Sequence, residues 1–365
     1  MNMPPIMKRS VFCIIFLLVL AATIISGCRE TASIGRSTVP YVEGILSGET
    51  AGLSILHNFD PSDSKGTVSL VGPYDSCLTA RFLTADDFDN IDGKSVSDGL
   101  PDFAGERIDI LEDAANLPYE VLLNDDETAL RTLAVKNFMF AVDTLCSKVE
   151  YGDEISQSKL PAKVVVYTSV INALAGAFDI DTLCRAAGSP VPVIFPARLV
   201  FEQQLSRNIE HLHVLVLTDS LTASAGIYQK LFESMAREKG EAGTGCAALY
   251  ARRDSTVNSI LSQYKSQGGG MPVSAIIIDG SSFSAGDLKA SLEEIMTVQT
   301  EQNLNSRKLI TKELSIIDMN KAVTDECYRI LRQNNIFTHN IAYPASKSFV
   351  TVKNLADGGF KFVEN

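Results

Sequence analysis

Four turns in this chain carry the side chains best suited to bind a small polar molecule. They are Tyr74-Asp75-Ser76, Thr168-Ser169, Thr218-Asp219-Ser220 and Asp279-Gly280-Ser281, and each directly follows a run of apolar residues. Hydroxyls and free backbone N–H groups at helix starts suit a carboxylate or a polyhydroxylated ligand, whereas Asp219 or Asp279 suits an ammonium group. The predicted ligand-binding residues are Tyr74, Asp75, Ser76, Thr168, Ser169, Thr218, Asp219, Ser220, Asp279 and Ser281.

The apolar runs before these turns predict strands that are buried on both faces of a parallel sheet. They are Thr67–Val71, Lys163–Tyr167, Val214–Leu217 and Ser274–Ile278, with shorter candidates at Val191–Phe195, Ala247–Tyr250 and Leu314–Ile317. Helical patterns lie between them, and the longest is predicted from Glu127 to Val149. The alternation predicts an α/β architecture, in which ligands bind at the carboxyl ends of the strands.

A weak internal repeat supports the same interpretation. Thr168 and Gly176 recur fifty positions later as Thr218 and Gly226, each pair lying after a valine-rich run. A third copy, shifted by a further sixty positions, begins at Asp279. Each copy combines a strand, a polar turn and a small-residue helix start. A repeated turn favours a binding role over simple helix capping, although capping alone explains any single copy.

The order of these units resembles the type I periplasmic-binding-protein fold. The part most similar runs from Thr168-Ser169 to Ala186–Ile194. The resemblance implies two Rossmann-like lobes with largely parallel sheets, which close on a ligand by hinge motion. The domain boundaries expected from it are a first lobe at 65–205 with an acidic insertion at 84–119, a second lobe at 206–315, and a C-terminal segment at 316–365 that packs back on the body.

The beginning of the chain has the features of a secretory signal. Basic residues Lys8-Arg9 precede the apolar run Val11–Ile25, which is short for a membrane-spanning helix. The following Ile25-Ser26-Gly27-Cys28 resembles the lipobox of bacterial lipoproteins. The resemblance implies removal of residues 1–27, lipidation of Cys28, a tether at 28–64, and a cell-envelope location outside the cytoplasmic membrane, or at the outer membrane if the host has one. The alternative is an uncleaved membrane anchor.

Charge and motifs exclude several classes of function. The net charge is −12, and an acidic surface repels nucleic acid, so no nucleic-acid partner is predicted. The sequence contains no GxSxG, P-loop or GxGxxG motif, so no cofactor is predicted. The expected partners are a small-molecule ligand, the membrane through the lipid anchor, and a transporter permease.

The acidic residues and the histidines of the sequence do not predict a metal-binding site. Asp87, Asp89 and Asp92-Gly93 superficially resemble a calcium loop, but the later Glu of an EF-hand is missing. The insertion is therefore interpreted as a solvated acidic loop. His211 and His213 share one face of a strand start without a cysteine partner nearby in sequence, which favours a structural role.

One cysteine raises the possibility of catalysis. Cys77 lies just after the first strand, where it could act as a nucleophile. The aspartate/glutamate racemase family places cysteines at two symmetry-related sites of this kind. The turns at Thr168, Thr218 and Asp279 have no such cysteine, so the sequence departs from that family.

The sequence thus favours a lipid-anchored, extracytoplasmic solute-binding protein that recognises a small polar ligand between two lobes. On this interpretation a binding role is favoured over an enzymatic one. Two alternatives stay open: an extracytoplasmic enzyme of an α/β fold that uses Cys77 or the acidic insertion, and a surface interaction lipoprotein without a small ligand.

Overall fold

Two β-sheets, both largely parallel, form the framework of the protein. The computed structural model describes residues 37–50, 52–147, 156–207, 209–241, 243–252, 254–280, 284–338, 342–353 and 360–365. The predicted signal segment, Cys28 and Ser281 lie outside the described residues. None of the described helices is long and apolar enough to cross a membrane. The predicted α/β class with two largely parallel sheets is confirmed.

Strands and helices alternate along most of the described chain. The strands are β1 (Thr67–Gly72), β2 (Arg107–Glu112), β3 (Leu145–Ser147), β4 (Ser156–Ser158), β5 (Ala162–Tyr167), β6 (Val193–Ile194), β7 (His213–Thr218), β8 (Gly245–Tyr250), β9 (Val273–Ile278), β10 (Ile310–Asp318), β11 (Ala345–Lys353) and β12 (Phe360–Glu364). The helices are α1 (Pro40–Leu46), α2 (Gly52–His57), α3 (Ser76–Thr84), α4 (Tyr119–Asp125), α5 (Glu127–Val142), α6 (Val170–Ala187), α7 (Pro196–Leu205), α8 (Ser220–Ala225), α9 (Ile227–Glu238), α10 (Val257–Ser266), α11 (Ala285–Thr297), α12 (Glu301–Arg307) and α13 (Met319–Gln333).

The two sheets repeat one strand order. Among the described strands, the first sheet has the order β4-β3-β12-β11-β2-β1-β5-β6 and the second β8-β7-β9-β10. The block β2-β1-β5-β6 therefore corresponds to the block β8-β7-β9-β10, and every pairing within both blocks is parallel. The structural repeat is therefore a whole four-stranded unit, in which β1 corresponds to β7 and β5 to β9. The sequence repeat has a different register, since it pairs the turn after β5 with the turn after β7.

The central strands are apolar throughout because both of their faces are buried. Alternate residues of a strand point to opposite faces, and in β7 Val214 and Val216 enter one core cluster while Leu215 and Leu217 enter another. The first sheet shows the same alternation in β5, where Val164 belongs to one cluster and Val165 to another. Three apolar layers result, one outside each sheet and one between the sheets.

The middle layer belongs to both sheets. Its buried members include Val68 and Val164 of the first sheet together with Val214 and Ile277 of the second. Helices α3, α7, α9 and α13 also contribute to it; α13 contacts both α3 and α7. Because one continuous core joins the sheets, they cannot separate as rigid lobes without exposing it to water.

The predicted tether at 28–64 is wrong for its second half. Helices α1 and α2 lie within it, and Val42, Ile45 and Leu56 are fully buried against the outer face of the first sheet. Some Ser and Gly residues of this segment occupy the turns around the helices and others lie within them, whereas the apolar residues recur at helical spacing.

The predicted acidic insertion at 84–119 is wrong where it contains β2. This strand lies between β1 and β11 in the first sheet, and Asp109 is fully buried there because Arg107 Nε donates to it at 2.7 Å. The preceding segment is an ordered loop, in which Asp86 and Asp102 accept bonds from backbone N–H groups.

Two further boundaries differ from the sequence-based expectation. Helix α5 ends at Val142 rather than Val149, and the short strand β3 follows. Residues 345–364 contribute β11 and β12, which extend the first sheet next to β2.

The shared core predicts that both sheets unfold together. Phe201 of α7 packs edge-on against Phe232 of α9, with ring centroids 5.1 Å apart, so Phe201→Ala leaves a cavity between the sheets. We expect the free energy of unfolding to fall by about 3–5 kcal/mol, with one cooperative transition in urea followed by circular dichroism. Phe360→Ala, at a half-exposed position, is the control and should cost far less. Two separate transitions would contradict a common core.

Candidate functional site

The predicted ligand-binding turns lie at the two points where the strand order reverses. In the first sheet this point lies between β1 and β5, and in the second between β7 and β9. Connections leave in opposite directions there, which opens a crevice at the carboxyl ends of the strands. Asp75 and Thr168 flank the first crevice, and Asp219 and Asp279 flank the second.

At the first crevice, the turn after β1 is held against the turn after β5. Thr168 Oγ1 donates to the carbonyl oxygen of Pro73 at 2.8 Å. Gly72 has φ of +132°, and a Cβ at this position would lie 2.6 Å from Thr168 Oγ1, so only glycine fits. Asp75 then caps α3, since its Oδ1 accepts from the N–H groups of Cys77 and Leu78, both at 2.9 Å.

The second crevice repeats the aspartate cap. Asp219 Oδ1 accepts from the N–H groups of Leu221 and Thr222 at 2.8 and 3.0 Å and so caps α8. Asp75 and Asp219 are therefore equivalent residues of the two repeated units. In both aspartates Oδ2 accepts no hydrogen bond from a described residue, which leaves one oxygen of each available to a ligand.

Asp279 is the most perturbed carboxyl group at these turns. Its Oδ2 accepts a hydrogen bond from Thr218 Oγ1 at 2.8 Å and another from Tyr228 Oη. Burial raises the pKa of the Asp279 carboxyl above its ordinary value. The two hydrogen bonds lower this pKa, while the negative charges of Asp219 and Asp75 raise it further.

Asp75 contributes to the electrostatic environment of Asp279, although the two residues follow strands of different sheets. The negative charges of Asp219 in the second crevice and of Asp75 in the first both raise the pKa of the Asp279 carboxyl group. The crevices are also joined by α4, because Thr222 Oγ1 donates to Glu120 Oε1 at 3.4 Å. A region with this charge attracts cations, and a carboxyl group with a raised pKa is suited to accept and donate protons.

The serines and tyrosine of these turns are placed around the carboxyl groups. Ser76 and Ser220 are exposed first residues of α3 and α8, and Ser169 caps α6. Tyr74 is half-exposed. Ser281 lies outside the described residues. A ligand-binding role for all ten residues stays a prediction.

A buried network behind the first crevice escaped the sequence analysis. Asp113 follows β2 and is fully buried; it accepts from Tyr119 Oη and Asn137 Nδ2 at 2.8 Å and from Thr351 Oγ1 at 3.0 Å. Asn172 Nδ2, one turn into α6, donates to Tyr119 Oη at 3.3 Å. The carboxyl group lies at the same strand-end edge, and this position was the signal that could have identified it.

The described cysteines and histidines do not form a second candidate site. Cys77 is exposed beside Asp75, while Cys146, Cys184 and Cys327 are buried thiols. Within the described part of the chain, no group of three or more His, Cys, Asp or Glu side chains could hold a metal ion. His213 forms a 2.9 Å hydrogen bond with Tyr264 Oη at the opposite edge of the second sheet.

Comparison with known proteins gives only distant structural likeness. No family model and no curated protein matches the chain. A glutamate racemase from Francisella tularensis has 14% identity and a TM-score of 0.47, covering 80% of this chain and 90% of that one. A glutamate racemase from Bacillus anthracis has 12% identity and a TM-score of 0.46, with 78% and 88% covered. An aspartate racemase from Picrophilus torridus has 11% identity and a TM-score of 0.33, with 74% and 94% covered.

These comparisons correct two sequence-based interpretations. The preference for a chain without enzymatic activity is wrong, since five matched structures are glutamate or aspartate racemases and a sixth is an aspartate racemase homologue. The same matches do not support the periplasmic-binding-protein type. The low identities and TM-scores transfer neither a substrate nor a catalytic residue to this chain.

The proximity of the two crevices can be tested by titration. Asp75→Asn removes a negative charge across the cleft while preserving an acceptor for the helix cap, so we expect the pKa of Asp279 to fall. The measurement is a ¹³C NMR titration of the Asp279 carboxyl group. Asp126→Asn, at the cap of α5, is the matched control and should leave that pKa unchanged. An unchanged pKa in Asp75→Asn would show that the crevices do not face each other.

Proposed function

We propose that the protein is an α/β enzyme that moves a proton on a small amino acid at the paired crevices. The observation that carries this proposal is the environment of Asp279, whose pKa is raised by burial and by carboxylates from both sheets. General acid–base catalysis works best when the pKa of the catalytic group approaches the working pH. Asp279 is the group suited to this role.

An amino acid matches the charges of the site. Its ammonium group would bind the free carboxylate oxygens of Asp75 and Asp219. Its carboxylate would bind at the N-terminus of α6, since helix N-termini favour anions; α6 begins at this edge with Ser169 at its N-cap.

The reaction class follows from the groups at hand. Asp279, when ionised, would take the proton from the substrate Cα, and the electron pair would remain on the substrate, delocalised into its carboxylate group. Return of a proton from an acid that exchanges with water completes the cycle. Because the described turns at Thr168, Thr218 and Asp279 have no cysteine, a mechanism with two thiols at these positions is not proposed.

Proton transfer at Cα can be measured without knowing the natural substrate. In D₂O, we expect the Cα–H signal of at least one amino acid to disappear from the ¹H NMR spectrum. Asp279→Asn should reduce that exchange rate by about a hundredfold or more, the scale of acid–base catalysis, while the amide still accepts hydrogen bonds from Thr218 and Tyr228. Exchange should also slow as the pH falls through the pKa of Asp279, since the base must be ionised.

The control for this experiment is Asp126→Asn, which should exchange at the wild-type rate. Binding of amino acids without Cα exchange at any pH would instead favour a binding protein without catalysis. Equal exchange rates in wild type and Asp279→Asn would remove Asp279 from the mechanism.

We further propose that the enzyme acts outside the cytoplasmic membrane, anchored through a lipid on Cys28. Support comes from the order of basic, apolar and small residues before Cys28. Two acyl chains suffice for stable anchoring.

Cys28→Ser should therefore abolish labelling with palmitate and leave an unprocessed precursor in membrane fractionation. Cys13→Ser, in the apolar run of the same segment, is the matched control and should be labelled normally. Normal labelling of Cys28→Ser would refute the anchor.

A further inference from the structure

Three large side chains that are exposed to solvent neighbour residues of the candidate turns in sequence or in strand pairing. Tyr74 is 53% exposed, Leu221 56% and Tyr250 50%. Tyr74 directly precedes Asp75, and the N–H of Leu221 donates to Asp219. Tyr250 ends β8 and lies beside Thr218, its partner in the β7–β8 pairing. All three are thus adjacent to a residue of the candidate site.

A second group of exposed apolar side chains lies on the connection that joins the two crevices. Leu117 and Val121 flank the start of α4 and are 38% and 52% exposed. Helix α4 contacts α8, the helix that bears Leu221. The carboxyl edge therefore carries apolar side chains on the turns of both sheets and on the helix between them.

The backbone segments that carry these side chains are held by hydrogen bonds or by strand pairing. Asp75 and Asp219 bond the N–H groups of their own turns, and Tyr250 belongs to a strand. Exposed apolar surface is costly in water, and its clustering at one site marks a place where a ligand covers it. Small-molecule sites combine a largely apolar lining with a few charged groups, and tyrosine rings also attract ammonium groups.

From this arrangement, and resting on the proposed function, we infer that the substrate is an amino acid with an apolar side chain. The ammonium group would lie at Asp75 and Asp219, and the apolar side chain would cover Tyr74, Leu221 and Tyr250. An acidic side chain does not fit this site, because its charge would be repelled by three carboxyl groups and would gain nothing from the apolar surface.

Four probes separate the contributions of charge and apolar surface in NMR titrations. Phenylalanine carries the ammonium group and an apolar side chain, alanine the ammonium group alone, glutamate an anionic side chain, and 3-phenylpropionate the phenyl ring without an ammonium group. We expect phenylalanine to bind at least about tenfold more tightly than each of the others, the scale of burying an aromatic ring. The D and L forms are tested separately.

Substitutions then test whether Tyr250 contacts the apolar side chain of the ligand. Tyr250→Ala should weaken phenylalanine binding by about threefold to tenfold and leave alanine binding unchanged. Tyr343→Ala is the matched control, since Tyr343 is 82% exposed and precedes β11 at the opposite edge of the first sheet. It should alter neither affinity.

The outcomes distinguish this inference from the proposed function. If alanine or glutamate binds and exchanges its Cα proton as well as phenylalanine does, the apolar preference is overturned while the proton-transfer proposal stands. If 3-phenylpropionate binds as tightly as phenylalanine, the carboxyl groups do not hold an ammonium group, and the inference is overturned together with the assigned substrate orientation. Equal phenylalanine affinity in Tyr250→Ala and wild type overturns the assigned contact.

Discussion

The apolar layer between the two sheets is the constraint on which the candidate site depends. Its members come from β1, β5, β7 and β9 and from the helices packed between them. Since these four strands also end in the candidate turns, the packing of their inner faces determines how far apart Asp75 and Asp279 lie. A core this continuous favours a site that is already formed before the ligand arrives, in contrast to two lobes that close by rotation around a hinge.

The environment of Asp279 in this site disfavours the ionised form of its carboxyl group. Its pKa is higher in the folded protein than in the unfolded chain, so the stability that this group contributes is present below its unfolded pKa and is lost as the pH rises through its folded pKa. Hydrogen bonds from Thr218 and Tyr228 reduce the penalty but also hold the carboxyl group in one orientation. The fold therefore works against the ionised form that proton abstraction requires, as is common where function and stability conflict.

The sequence predicts the strands of the middle layer well and the first sheet's remaining parts poorly. Burial on both faces makes β5, β7 and β9 uninterrupted apolar runs, which local patterning detects. In β2 the buried Asp109 pairs with Arg107. The sequence of this strand therefore contains charged residues, like the acidic loop before it, and lacks the apolar run that identifies the other central strands. Asp113 was missed for a related reason: its partners Asn137 and Thr351 lie far away in sequence, and only the folded chain distinguishes this buried carboxyl group from a solvated one.

Asp113 also explains how the connection between the crevices is kept in place. Helix α4 has only seven residues, too few for stability on its own, and several of its side chains face solvent. Tyr119 anchors its first turn through Asp113 and Asn172, while the next residue, Glu120, accepts the hydrogen bond from Thr222 of α8. A rigid, buried network behind one crevice thereby fixes a short helix that reaches the other. Since Thr222 also donates to the capping Asp219, the position of that carboxyl group in the second sheet is coupled to a hydrogen-bond network buried in the first.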